Sequence, residues 1–247
     1  MQHIELHKNV QELIDKDFVL ARALFFLGVT YCDYKESSLN LVLNEAGITA
    51  EQLSRKVEEL HAVELPGPVF FKPFQVDAIV EYLKHAHYIY IKEKIPFISM
   101  LIARLEDSGK LTHDLKLIFP YVTEDFIKHI YHEEDSLFYY IQKLYTANEG
   151  VFDEAVMLEL MSKYSIRKMA SHHQDDDDEM KGIRDLTNNY SVKGIDDKDL
   201  KVIFSELKSL ETDLFLHARI ENEVLFPKAL ELEAKVAKFV AESIKAF

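Results

Sequence analysis

FIKHIYHEEDSLF (residues 126–138) and LFLHARIENEVLFP (residues 214–227) share one pattern, a histidine followed four residues later by a glutamate. The pairs are His129 with Glu133 and His217 with Glu221. On a helix, residues four apart leave the same face about one turn apart. Each pair interrupts an apolar stripe of helical period. One stripe runs Phe126, His129, Glu133, Leu137, Tyr140, Leu144; the other runs Leu210, Leu214, His217, Glu221, Val224. Glutamate is almost never fully buried unless it is paired or binds a metal. A single pair can be a hydrogen bond on a helix flank. Two pairs, both on core-facing stripes, point to facing helices that share a metal site. Imidazole nitrogen with carboxylate oxygen suits iron, manganese or zinc. The neighbours His132 and Glu134 fall off the stripe and are expected to be solvated.

The rest of the chain is consistent with a nearly all-helical protein. Its 247 residues contain only 7 glycines and 6 prolines, and 48% are apolar, enough for a substantial core. Good helix formers dominate. With 43 acidic against 29 basic residues, the formal charge is -14. So acidic a chain is a poor ligand for phosphate backbones, and no nucleic-acid partner is expected. Cys32 is the only cysteine, which excludes an intramolecular disulfide and agrees with a reducing compartment. The N-terminus MQHIELHKNVQELIDKD lacks the apolar core of a secretion signal. No apolar run is long enough to span a bilayer, so no membrane association is expected and the expected location is cytoplasmic.

Residues 1–64 read as a small helical domain. VQELIDKDFVLARALFFLG stops at Gly28, a second helix ends at Gly47, and Thr49 with Gln52 has the capping-box spacing that opens a third. LPGPVFFKP (65–73) holds three of the six prolines and marks a linker, with Phe70, Phe71 and Phe74 expected to pack on a neighbouring domain. Four long helical segments follow over 74–247. They are expected near 75–107 with a bend at Pro96, 122–147 after a break at Phe119-Pro120, 152–189 with an interruption near Tyr164-Ser165, and 197–242 with a kink or break at Pro227. Four such segments with short joints make an up-down-up-down bundle.

A site inside that bundle needs ligands from the other two helices. The first offers His85 and His87. His87 continues the stripe Val76, Val80, Leu83, Ile91, whereas His85 aligns with Glu81 and Lys92, so periodicity selects His87. The third offers His172 and His173. His173 aligns with Ile166, Met169 and Met180, and His172 with Ile183 and Leu186, so both stay open. Asp175–Asp178 is the kind of run that forms a solvated face, although Asp177, one turn after His173, is placed to support it. Four histidines, one per helix, and two glutamates exceed the four ligands of a closed zinc site. They suit two metals, with carboxylates able to bridge.

These motifs resemble the hemerythrin-like di-iron family, and within it the repair-of-iron-centres branch, the iron-sulfur cluster repair proteins. The matching residues are His129 and Glu133 in HIYHEED, His173 in MASHHQDDDDEM, and His217 and Glu221 in HARIENEVLFPKAL, with His87 in HAHYIYIKEKIP resembling the first-helix ligand. The oxygen-carrying hemerythrins have more histidines and a ligand aspartate. The resemblance implies an all-α hemerythrin-like bundle holding two non-haem irons with an oxo or hydroxo bridge. His87, His129, His173 and His217 would be terminal ligands, and Glu133 and Glu221 would bridge. It implies a role in repairing iron-sulfur clusters damaged by nitric oxide or oxidants, by releasing iron to the damaged proteins. Alternatives on the same centre are nitric oxide or peroxide reduction, and binding or sensing of O2 or NO. A metal-free bundle is the remaining alternative, and a homodimer is compatible with the sequence. The branch often starts with a small helical domain carrying a Tyr/Phe-Cys-Cys element. Here Tyr31-Cys32-Asp33 resembles it but lacks the second cysteine. Cys32 is then either a reactive thiol or a small buried apolar residue.

Overall fold

The computed structural model describes residues 5–62, 65–176 and 178–245, with side chains for 5–62, 65–171 and 178–243. Four short helices come first: α1 (Val10–Ile14), α2 (Val19–Phe26), α3 (Leu39–Ala46) and α4 (Ala50–His61). Their ends follow the expected local chemistry. Gly47 closes α3 in the left-handed region at φ 67°, where a side chain would be strained. Thr49 and Gln52 form the reciprocal capping box of α4, with the Thr49 N–H donating to Gln52 Oε1 at 2.8 Å and the Gln52 N–H to Thr49 Oγ1 at 3.1 Å. In the proline-rich stretch, α5 (Pro68–Phe71) buries Phe71 beneath Tyr82, while Phe70 and Phe74 remain largely exposed around it.

Four long helical segments make the bundle, and three of them contain a π-helical turn. The first is α6 (Val76–Ile89), a π turn at Tyr90–Lys94, and α7 (Ile95–Arg104). The second is α8 (Lys110–Glu133), a π turn at Glu134–Phe138, and α9 (Tyr139–Asn148). The third is divided into α10 (Glu154–Lys163), α11 (Ile166–Asp176) and α12 (Lys181–Leu186). The fourth is α13 (Lys198–Ile220), a π turn at Glu221–Leu225, and α14 (Phe226–Lys245).

Two expectations fail here. The second segment begins at Lys110 rather than near 122, because Pro120 lies within α8 instead of ending it. A proline inside a helix costs about 3 kcal/mol. Leu115, Phe119 and Phe126, all buried on the inner face, offset that cost, since each such side chain contributes roughly 1.5–3 kcal/mol. The third segment breaks at Tyr164-Ser165 as expected. It breaks again before Lys181, and it stops at Leu186 because Asn188, Asn189 and Tyr190 turn left-handed.

The buried side chains fall into two clusters at opposite ends of the bundle. One contains Ile79, Leu83, Leu137, Tyr140, Ile166, Val224 and Leu232. The other contains Phe97, Ile98, Leu115, Phe126, Met180, Ile203 and Phe204, and it continues into Val10, Leu24, Tyr31, Leu39 and Leu53 of the first four helices. Polar ties reinforce that continuity. Arg22 Nε lies 3.7 Å from Glu206 Oε2, Lys198 Nζ lies 2.6 Å from Asp15 Oδ2, Lys35 pairs with Asp199, and Phe25 packs on Phe97 with ring centroids 4.9 Å apart. Cys32 is half-buried at this junction. Burial, with Asp199 nearby, pushes its thiol pKa up, which suits a small apolar filler better than a nucleophile. No helix among the described residues is long and apolar enough to cross a membrane.

Candidate metal centre

Each bundle helix passes from one core cluster to the other, and the polar residues singled out from the sequence lie where they cross. On the first helix, His87 falls between Leu83 and Tyr90; on the second, Glu133 falls between Ile130 and Leu137; on the fourth, His217 and Glu221 fall between Leu210 and Val224. The chain therefore sets a polar layer between two apolar slabs.

That layer is dry. His87 is 2% exposed, Glu133 6%, His217 9% and Glu221 0%. Their donor atoms converge. His87 Nε2 lies 3.1 Å from His217 Nε2 and 3.5 Å from Glu133 Oε2, and His217 Nε2 lies 3.2 Å from Glu221 Oε1. Donor atoms of His87, Glu133 and His217 all sit within 4.8 Å of one another. Two imidazole nitrogens that face each other this closely need a proton or a cation between them. Burying two carboxylates costs several kcal/mol per charge unless positive charge compensates. Metal–ligand bonds of about 2.0–2.2 Å place neighbouring donors roughly 3–3.5 Å apart, the spacing found here. The residues thus fit a transition-metal ion in both chemistry and separation.

Aromatic rings hold the histidines in place. The His87 ring stacks on Phe138 with centroids 5.5 Å apart, and Tyr90 meets the edge of His217 at 5.9 Å. Burial raises the Tyr90 phenol above its ordinary pKa, so it stays protonated.

The remaining sequence candidates are placed as follows. His85 is exposed and stacks on Tyr88, away from the layer. His129 lies one turn before Glu133 and is partly exposed, with its Nδ1 3.9 Å from Glu179 Oε1. The side chains of His172 and His173, and Asp177 as a whole, lie outside the described residues; the backbone of α11 carries both histidines across the layer between Ile166 and Met180. His132 is exposed, as expected. Glu134 is not simply solvated, because its Oε1 lies 2.8 Å from His87 Nδ1. A strict 3.6-residue period cannot turn both Glu133 and Glu134 inward; the π turn that begins at Glu134 does so. Glu179, Phe138 and Tyr90 were likewise not singled out from the sequence. The acidic run 175–178 was the nearest signal for Glu179.

A cavity of about 470 Å³ opens onto the layer, reaching Glu133, His217 and Glu221 beneath Phe126, Leu214 and Met180. Its mouth carries Asp178, Glu179, Glu211 and Glu223. Arg184 braces one side of that mouth by pairing with both Asp178 and Glu211.

Residues 78–229, more than half of the chain, match the family described as Hemerythrin HHE cation binding domain. The chain is 22% identical over 219 residues to the Iron-sulfur cluster repair protein YtfE of Musicola paradisiaca, spanning 87% of this chain and 92% of that one. It is 21% identical over 201 residues to the Iron-sulfur cluster repair protein ScdA of Staphylococcus epidermidis, spanning 80% of this chain and 86% of that one.

Proposed function

The chain belongs to the hemerythrin HHE cation-binding domain family, and from that premise we propose that it is a di-iron protein that restores damaged iron-sulfur clusters by supplying iron. The observation that carries this is the buried convergence of His87, Glu133, His217 and Glu221 between two apolar slabs. His129, one turn from Glu133, and His173, on the helix that crosses the same layer, would complete a set of four imidazoles and two carboxylates. Six donors from four helices would hold two ions, Glu133 and Glu221 supplying carboxylates and the four histidines imidazoles. Iron bound there would supply a one-electron couple and a transferable ferrous ion.

The chain's own groups set the conditions. Neutral imidazoles and two carboxylates balance much of the charge of two divalent ions. The apolar slabs close the layer on two sides, and solvent and ligands reach it through the cavity. The mouth sets four carboxylates against Arg184 and Arg219, a net negative balance that favours a cation passing in or out. The names of the relatives, whose lengths this chain covers almost entirely, support cluster repair in particular. The partners would be proteins whose clusters have lost iron to nitric oxide or oxidants, in a reducing, cytoplasmic setting. The helices within 5–62 would serve as a cap on the bundle, since their side chains continue one of its core clusters.

The test is anaerobic repair. A [4Fe–4S] hydratase that has lost one iron is mixed with iron-loaded protein, and its activity is followed. Recovery that exceeds the effect of the same concentration of free ferrous iron, and that is absent with Glu133→Leu, is expected. Recovery no better than free iron would count against iron delivery. The cavity at the layer also favours a second reading, reduction of nitric oxide or peroxide at the same centre. Catalytic turnover of nitric oxide by the reduced protein, without any cluster-bearing partner, would select it.

A further inference from the structure

We infer that Glu134 is a positioning residue, which fixes the ring orientation and tautomer of His87 so that Nε2 is the nitrogen offered to the metal. The inference rests on the metal-site reading above and extends it beyond the groups that would touch the ion. Consecutive residues of an α-helix diverge by about 100°. A helix that points Glu133 inward should therefore turn Glu134 well aside. The π turn at Glu134–Phe138 widens the backbone at that point, and both carboxylates reach the same imidazole from opposite edges. Glu133 Oε2 is 3.5 Å from Nε2, and Glu134 Oε1 is 2.8 Å from Nδ1.

An ionised carboxylate only accepts hydrogen bonds. Nδ1 must then carry the proton and donate it to Glu134, which leaves the lone pair on Nε2. Nε2 is the atom that faces His217 and Glu133. Phe138, the last residue of the same π turn, stacks on the imidazole at 13° between planes, so one turn of backbone supplies both the hydrogen bond and the surface the ring rests on. The Glu134 side chain is 30% exposed, so it approaches His87 Nδ1 from the solvent side of the layer.

Two readouts test this. The first is the 15N spectrum of histidines in the metal-free protein, which reports the His87 tautomer whether or not metal binds. The wild type should show the Nδ1–H form, and Glu134→Ala should show a mixture of tautomers. The second is competition between the protein and a chelator for Co(II), with the ligand-field bands recorded. Glu134→Ala should weaken binding by about 10–100-fold, with the same number of ions bound at saturation. Glu134→Gln, which can accept the bond without the charge, should fall between. A wild type that binds no Co(II) would refute the metal-site reading alone, since the tautomer measurement stands apart from it. A Glu134→Ala protein with the wild-type tautomer, bands and affinity within twofold would overturn the positioning role.

Discussion

Glu221 is the charge most deeply withdrawn from water in the layer, and its surroundings decide what it contributes to stability. With metal bound, it is a ligand that offsets positive charge. Without metal, it is a carboxylate fully buried beside His217, and burying a carboxylate costs several kcal/mol that a hydrophobic residue of similar volume does not incur. Glu221→Leu should therefore bind little metal, yet in chelator it should melt above chelator-treated wild type. Calorimetry of both proteins with and without chelator checks this, and a Leu variant that melts lower in chelator would show that Glu221 stabilises the fold unaided. Cys32 permits a second test. Because burial raises its thiol pKa, the thiolate of the folded protein forms only at higher pH than in the unfolded chain. Alkylation by iodoacetamide should be slow at pH 7 and should accelerate at a higher pH in folded than in urea-unfolded protein; equal profiles would contradict the buried reading. At this scale the sequence was informative where a charged residue broke an apolar stripe, as with His87, Glu133, His217 and Glu221. It placed Glu134 in solvent, because that residue reaches His87 through a local change of helical pitch that side-chain identity does not encode.

The π turns are the elements that build the layer. One starts three residues after His87, one directly after Glu133, and one at Glu221 itself. Pro96 and Pro227 stand two residues beyond the first and last of these turns. A proline offers no N–H and crowds the carbonyl four residues back, here at Lys92 and Glu223, so both prolines favour the wider turn before them. From the sequence these prolines announce bends, and in the structure each follows a π turn. Pro120 has no such turn and is carried by the burial of Leu115, Phe119 and Phe126. A π turn holds one residue more than the α-helical turn it replaces, so removing the exposed Glu223 should restore an α-helical turn while Val224, Leu225, Phe226, Ala229 and Val236 keep their places in the core. The deletion should therefore keep the far-ultraviolet helical signal and most of the melting temperature, while weakening metal binding because Glu221 loses the turn that aims it. Metal binding equal to wild type would show that the π turn does not place Glu221.

At the scale of the molecule, the first four helices are part of the bundle's own core. Phe25 covers Phe97, and Arg22, Lys35 and Asp15 are tied to Glu206, Asp199 and Lys198 of α13. Proline spacing marked where the chain could be divided, but it could not show that the two parts share one apolar cluster, because that depends on contacts far apart in sequence. A protein starting at residue 65 should expose Phe97 and its neighbours and aggregate on expression; a soluble monomer with full metal content would show that the cap is dispensable. The central claim is that His87, His217, Glu133 and Glu221 hold metal between the two slabs. Its most direct test is metal content after anaerobic reconstitution with ferrous iron and removal of unbound ions. About two irons per wild-type chain, and a small fraction of that in Glu221→Leu, is the predicted result; a wild type with no retained iron, or a variant that keeps the full amount, would contradict it.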